Sequence, residues 1–178
     1  MSEAKAIRVY GLEVVGVEPI DLRTCYVFYP PNNGMDDLFG DRCMELSPHV
    51  EICKLYLKQG ARWLRRNYQT TRYGQMMDRL GKKNFPQKII DICESVREGY
   101  LCKGYEGSYI VVLREPFAAS RYLRQIPNRV PEIWSGHHRA AALLAFGRYM
   151  VDVLVARDGA PGSKFSVGKV HGLCLGEP

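Results

Sequence analysis

The residues best suited to chemistry stand together in one short turn, Ser-Gly-His-His-Arg at 135–139. A short apolar run at 132–134 precedes the turn, and a small-residue segment at 140–146 follows it. These patterns predict a strand that passes directly into a helix. The first turn of a helix exposes unpaired backbone N–H groups and the positive end of the helix dipole, so it is a natural seat for an anion.

Each residue of the turn could serve a phosphate group. Gly136 lets the backbone approach a ligand closely, and His137 and His138 can each donate a hydrogen bond. Arg139 offers a planar fork that suits phosphate oxygens. We therefore predict phosphate binding at Ser135 to Arg139, with His137 and His138 also as candidate catalytic residues. The alternative is an ordinary strand–Gly–helix turn whose arginine is merely solvated.

The elements around the turn indicate its fold. Residues 86–98 have the periodicity of an amphipathic helix that ends at Gly99, while 109–113 and 150–155 have strand composition. The order helix, strand, loop, strand, helix, strand predicts a compact α/β unit. After Ala156 the glycine-rich tail is expected to be loop.

The N-terminal part is less regular. Strand-like residues occupy 7–17, and a Pro-Pro-Asn-Asn-Gly loop follows at 30–34. Ser47 and Pro48 predict a helix start, Gly60 its end, and a second, basic helix is expected from 72 to 81. We predict an α/β (α+β) fold, a small mixed sheet with packed helices, in which a helical and basic extension (1–84) packs on a core (85–178).

The run Gly-His-His-Arg-Ala-Ala-Ala at 136–142, entered from a strand and followed by another strand, resembles the ParB/sulfiredoxin-like superfamily. The helix ending at 96–100 and the strand at 110–113 fit the same order. In that superfamily the corresponding turn binds nucleotide phosphates, so the resemblance implies that Gly136, His137, His138 and Arg139 hold ATP or another nucleotide. Two further segments, 47–49 (Ser-Pro-His) and 71–73 (Thr-Arg-Tyr), resemble uncharacterised proteins with the same turn.

Departures from the superfamily narrow the expected chemistry. Sulfiredoxins have a reactive cysteine where this chain has His137, so sulfinic-acid reduction is not expected. Kinase-like members carry an acid immediately before the glycine, and here that residue is Ser135. Partition proteins continue into a helix-turn-helix domain, which we do not expect in the short stretch after Ala156.

Three functions remain open. The first is a phosphotransferase (a kinase-like transferase) that moves phosphate from a nucleotide to a hydroxyl acceptor, with Mg²⁺ as its expected metal. Its carboxylate base could be Glu18 or Asp21, although an acid near a proline is more often a surface turn residue. The second is a non-catalytic switch controlled by a nucleotide, and the missing acid before Gly136 favours it.

The third function is nucleic-acid binding, as in ParB-like DNA-binding or nuclease proteins. Residues 58–83 hold eight basic side chains against one acid, in a chain of net charge +6. Within this segment Arg62, Arg65, Arg66, Arg72 and Tyr73 are the candidate face, because arginines neutralise phosphates and aromatics stack on unpaired bases. The alternative is that the aromatics are core anchors with solvated arginines around them.

Composition excludes other classes. No stretch has the apolar length of a membrane helix, and no secretory signal is evident at the N-terminus. The six cysteines have no C-x-x-C pair, so we expect no zinc or other protein-bound metal site but free thiols in a cytoplasmic protein.

His49 and His171 are distant in sequence from the turn and are expected at surface or cap positions. Oligomeric state, nucleotide base and acceptor are left open by the sequence.

Overall fold

The structure, a computed structural model, describes residues 8–9, 12–27, 43–82, 86–99, 109–114 and 130–157. Six strands in these ranges form one mixed sheet in the order β1-β2-β6-β4-β5-β3. The strands are β1 (Arg8–Val9), β2 (Leu12–Asp21), β3 (Tyr26–Val27), β4 (Val111–Leu113), β5 (Glu132–Ser135) and β6 (Met150–Arg157). The described helices are α1 (Pro48–Asn67), α2 (Arg72–Arg79), α3 (Pro86–Arg97) and α4 (His137–Ala145). The predicted class, an α+β fold with a mixed sheet and packed helices, is confirmed.

The N-terminal part of the chain supplies strands as well as helices. β2 pairs antiparallel with β6 from Glu13 opposite Arg157 to Asp21 opposite Met150. β3 pairs parallel with β5 at the opposite edge of the sheet. Residues before 84 therefore complete the same sheet to which β4, β5 and β6 belong.

The helix boundaries follow local capping chemistry. The Ser47 hydroxyl accepts the Val50 N–H at 3.4 Å, and Pro48 occupies the first helical position, as predicted. Gly60 has a left-handed φ of 81°, so α1 is kinked where its end was predicted and then resumes as far as Asn67. α4 begins at His137, three positions before the expected start at Ala140, because its first turn is made by the His-His-Arg run itself.

The centre of the sheet, at β4 and the adjoining part of β6, is buried on both faces. Val112, Val153 and Val155 face the helices in the main core, whereas their neighbours Val111 and Leu154 belong to a second cluster on the other face. This alternation follows from the two-residue period of a strand. Ala140, Ala141 and Ala142 are completely buried, which lets α4 lie close to the sheet.

Several expectations concern residues outside the described ranges. The loop at 30–34, His171, Cys102, Cys174 and the tail after 157 all lie there. The four described cysteines are free thiols, and Cys25, Cys53 and Cys93 are buried, in agreement with the prediction of buried thiols. Burial raises the pKa of Cys25 to about 12, so this thiol is not ionised at neutral pH.

Candidate phosphate-binding site

The turn between β5 and α4 has a backbone that only glycine suits. Gly136 caps α4 with φ 86° and ψ 19°, in the left-handed region. A Cβ atom at this position would lie 2.9 Å from the Ile110 Cα and 3.1 Å from the Tyr109 carbonyl oxygen. Close packing against the chain before β4 therefore fixes where α4 begins.

Three helices begin around the same cluster of side chains. His49 is in the first turn of α1, Tyr73 in that of α2, and His137 and His138 in that of α4. Lys88, in the first turn of α3, is close enough for its charge to affect both His49 and His138. The positive ends of these helix dipoles meet here, which favours a bound anion.

The rings of His49, Tyr73, His137 and His138, which we call the four-ring cluster, are in mutual contact. The His49 ring centroid lies 5.0 Å from those of Tyr73 and His138 and 5.9 Å from that of His137. The Tyr73 hydroxyl and His138 Nε2 share a hydrogen bond of 2.5 Å. The cluster therefore gathers three of the four histidines of the chain.

The histidines of the cluster are held neutral. Burial lowers the pKa of His137 to about 4 and that of His138 to about 3. The charges of Lys88, Lys82 and Arg139 add to the effect on His138. Burial also lowers the pKa of His49 well below its ordinary value. A neutral imidazole has one N–H donor and one lone pair, so each ring can both donate and accept at pH 7.

Access from solvent differs within the cluster. His49 and Tyr73 are 5% and 1% exposed, whereas His137, His138 and Arg139 are each partly exposed. The α4 side of the cluster is therefore the side that a ligand can reach. His49 and Tyr73 lie on the buried side of the cluster, where their rings contact His138.

Two of the four rings were not assigned to this site from the sequence. His49 was expected at a surface or cap position; it does lie in the first turn of α1, but it is buried in the cluster. Tyr73 was assigned to a substrate or nucleic-acid face, and it is buried against His138. The available signal was the resemblance of the Ser-Pro-His and Thr-Arg-Tyr segments to proteins with the same turn.

A buried hydroxyl without a partner lies beside the cluster. The Tyr68 ring contacts the Tyr73 ring edge-on at 6.0 Å, and Tyr68 is 4% exposed. Its hydroxyl has no hydrogen-bond partner among the described residues, and burial raises its pKa to about 12. Native proteins leave few such groups unpaired, and the exceptions often have a functional reason.

The two candidate carboxylates are engaged elsewhere. Glu18 forms an ion pair with Arg114. Asp21 pairs with Arg23 at 2.6 Å and caps the short 3₁₀ turn at Leu22–Thr24, and the Arg23 hydrogen bonds lower its pKa. Both acids lie on β2, which β6 and β4 separate from β5. The structure does not bring them to the turn.

The arginines of the basic segment are exposed to solvent or paired with other side chains. Arg62, Arg65 and Arg66 are exposed on α1 beyond Gly60, and the Arg65 guanidinium donates to Gln87 Oε1 at 3.0 Å. Arg72 is paired with Glu51 at 2.7 Å. The aromatic members face inward: Tyr68 and Tyr73 are buried, and Trp63 packs against the core. Bases could not stack on Tyr68 or Tyr73 without rearrangement of the core.

No group of three His, Cys, Asp or Glu side chains in the described ranges is arranged to hold a metal ion. No helix within these ranges is both long enough and apolar enough to cross a bilayer.

No protein-family model matches the chain, and comparisons with curated proteins and with solved structures give no significant match. Its functional interpretation therefore rests on the residues of the turn and on the geometry around them.

Proposed function

We propose that the protein binds the phosphates of a nucleotide at the first turn of α4 and transfers a phosphoryl group to a hydroxyl acceptor. A ParB/sulfiredoxin-like ancestry is part of this proposal. The left-handed turn at Gly136 begins α4, whose first backbone N–H groups would receive the phosphates, and His137, His138 and Arg139 surround them.

The observation that carries the proposal is the meeting of helix N-termini at the four-ring cluster. Three helices place a side chain of their first turn in it, and Lys88 adds a fixed positive charge from a fourth. The acid in the first turn of α1, Glu51, is paired with Arg72. A positive, partly desolvated site binds an anion far more strongly than an exposed arginine does.

Phosphoryl transfer also fits this arrangement. Its catalysis consists mainly of positioning and of neutralising charge on the phosphate oxygens. Arg139 and the N–H groups of α4 would supply that neutralisation, and Mg²⁺ would be bound together with the nucleotide. His138, held by Tyr73, would orient an acceptor hydroxyl by a hydrogen bond. The alternative of a nucleotide-controlled switch shares the binding step and lacks the transfer.

The inward-facing aromatics weigh against nucleic acid as the principal ligand. Binding to the exposed arginines of α1 would have to rely on phosphate contacts alone, since Trp63, Tyr68 and Tyr73 belong to the core.

The proposal is tested by calorimetric titration of the protein with ATP, ADP and CTP, each with and without Mg²⁺. We expect binding of at least one nucleotide. Incubation of labelled ATP with a mixture of hydroxyl compounds then separates the two activities: acceptor-dependent ADP formation supports transfer, and binding without turnover supports the switch. Failure of every nucleotide to bind would refute the proposal.

A further inference from the structure

We propose that phosphate binding at the four-ring cluster places a proton on His137, so that the site selects dianionic phosphate monoesters over phosphodiesters. This inference rests on the proposed function and adds the selectivity and pH control of the same site.

The hydrogen bond of His137 determines which ring nitrogen carries the proton when the ring is neutral. Its Nε2 donates to the Ile133 carbonyl oxygen at 2.9 Å. A carbonyl oxygen can only accept, so the single proton of the neutral ring is on Nε2 and Nδ1 carries a lone pair. Nδ1 is the ring nitrogen nearer to the backbone of the first turn of α4. A phosphate bound there meets a lone pair until Nδ1 is protonated, after which it meets a cationic donor.

His137 is the histidine of α4 best able to accept that proton. Burial is what lowers its pKa, and the Ile133 carbonyl acts in the opposite direction by favouring the protonated ring. For His138, by contrast, three cations add to burial: Lys88, Lys82 and Arg139. A nearby dianion directly offsets a desolvation penalty, because an opposite charge favours the charged form.

Among the described residues, burial and the Ile133 carbonyl are what act on the pKa of His137, and no acidic side chain contributes. Around the cluster stand His49 from α1, Tyr73 from α2, Lys82 after α2, Lys88 from α3, and His138 and Arg139 from α4. These groups are neutral or positive at pH 7. The proton on His137 is therefore stabilised by the bound anion itself.

Selectivity follows from the charge of the ligand. A phosphate monoester has a second pKa of about 6 and carries nearly two negative charges at neutral pH, whereas a phosphodiester carries one. The rise in the His137 pKa on binding depends on that charge, so a terminal phosphate is favoured over a diester such as a nucleic-acid backbone or a cyclic nucleotide.

The first test is calorimetry with ADP slightly above neutral pH, where its terminal phosphate is ionised. Comparing buffers of different ionisation enthalpy gives the number of protons exchanged. A nearby opposite charge raises a pKa by about 1–3 units. We therefore expect net uptake of a fraction of a proton per nucleotide slightly above neutral pH, and an uptake and an affinity that both increase as the pH falls. Binding without proton uptake would overturn this inference and leave the proposed function standing. Absence of binding would overturn both.

Two variants test whether His137 is the residue that takes up the proton, and a cyclic nucleotide tests the selectivity. Proton uptake should disappear in His137→Gln, whose amide can still donate to Ile133, and persist in Arg148→Gln, which changes an exposed residue beyond the other end of α4. Uptake that persists in His137→Gln would overturn the assignment to His137. Because either variant could fold poorly, NMR of the wild-type histidine rings gives an independent result: we expect the His137 ring to become imidazolium when ADP is added, and an unchanged ring would contradict us. Equal affinity for ADP and 3′,5′-cyclic AMP would refute the selectivity.

Discussion

Tyr68 and Tyr73 have adjacent rings but opposite hydroxyl environments. The Tyr73 hydroxyl is hydrogen-bonded to His138, whereas the Tyr68 hydroxyl is buried with no partner among the described residues. A buried polar atom without a partner loses its hydration and gains nothing in exchange. Such a group costs stability, and at the edge of a binding site it is available to a ligand.

We therefore predict that Tyr68→Phe increases the free energy of unfolding by about 1 kcal/mol, because it removes an unsatisfied hydroxyl. Tyr73→Phe is the matched control and should decrease it by about 1 kcal/mol, since it breaks the bond to His138. Urea denaturation of both variants measures the two effects. Equal destabilisation would mean that the Tyr68 hydroxyl has a partner outside the described residues.

At the scale of elements, the site depends on where helices begin. Ser47 and Thr71 cap α1 and α2 by accepting the backbone N–H of Val50 and Gly74, at 3.4 Å and 3.0 Å. No side chain caps α4, and the backbone of Gly136 alone begins that helix. The caps set the first turns, and the first turns carry His49, Tyr73 and His138.

Replacement of Gly136 by Ala should destabilise the protein by about 2–4 kcal/mol, combining the left-handed backbone with a clash against the Ile110 backbone. Gly147→Ala, at the other end of α4, is the control. Gly147 is also left-handed with φ 75°, but the nearest atom to its added Cβ is 3.9 Å away, so a loss of about 1 kcal/mol is expected. Thermal or urea unfolding distinguishes them, and equal losses would show that close packing at Gly136 is unimportant.

Local signals in the sequence predicted most elements but not their assembly. Capping and glycine patterns correctly indicated the helix start at Ser47 and the helix end near Gly99, whereas Gly60 marks a kink in α1 and not its end. The two-residue strand β3 has no pattern of its own, because its position is set by pairing with β5. His49 and Tyr73 were misjudged for the same reason: convergence of three first turns is a tertiary property that spacing along the chain does not contain. The turn at 135–139 was found because strand, glycine and helix are contiguous there.

For the whole molecule, the buried histidines link stability to pH. His137 and His138 have pKa values of about 4 and about 3 in the folded protein, and His49 is also shifted well below the ordinary 6.5. In the unfolded chain these rings bind protons below pH 6.5, whereas in the folded protein they do not. Stability is therefore fully present above pH 6.5 and declines as the pH falls towards 4.

We predict that the free energy of unfolding decreases between about pH 6.5 and pH 5, with a limiting slope of about 1.4 kcal/mol per pH unit for each histidine. Urea denaturation at a series of pH values gives this slope, and a saturating nucleotide should reduce it by favouring the protonated site. The comparison is made above the range in which most carboxylates titrate. A flat profile across that window would contradict the description of the cluster as buried and neutral.

The central claim, that a nucleotide binds through the first turn of α4, is tested most directly by calorimetric titration of Arg139→Ala beside the wild type and Arg148→Ala. Arg139 lies in the first turn of α4, and Arg148 lies three residues beyond the last residue of that helix. The control therefore has the same change of charge and removes an exposed arginine away from the turn. We predict that Arg139→Ala weakens nucleotide binding by roughly 1.5–3 kcal/mol, the scale of a charged hydrogen bond, and that Arg148→Ala leaves it nearly unchanged. Unchanged affinity in Arg139→Ala, or an equal loss in both variants, would contradict the account.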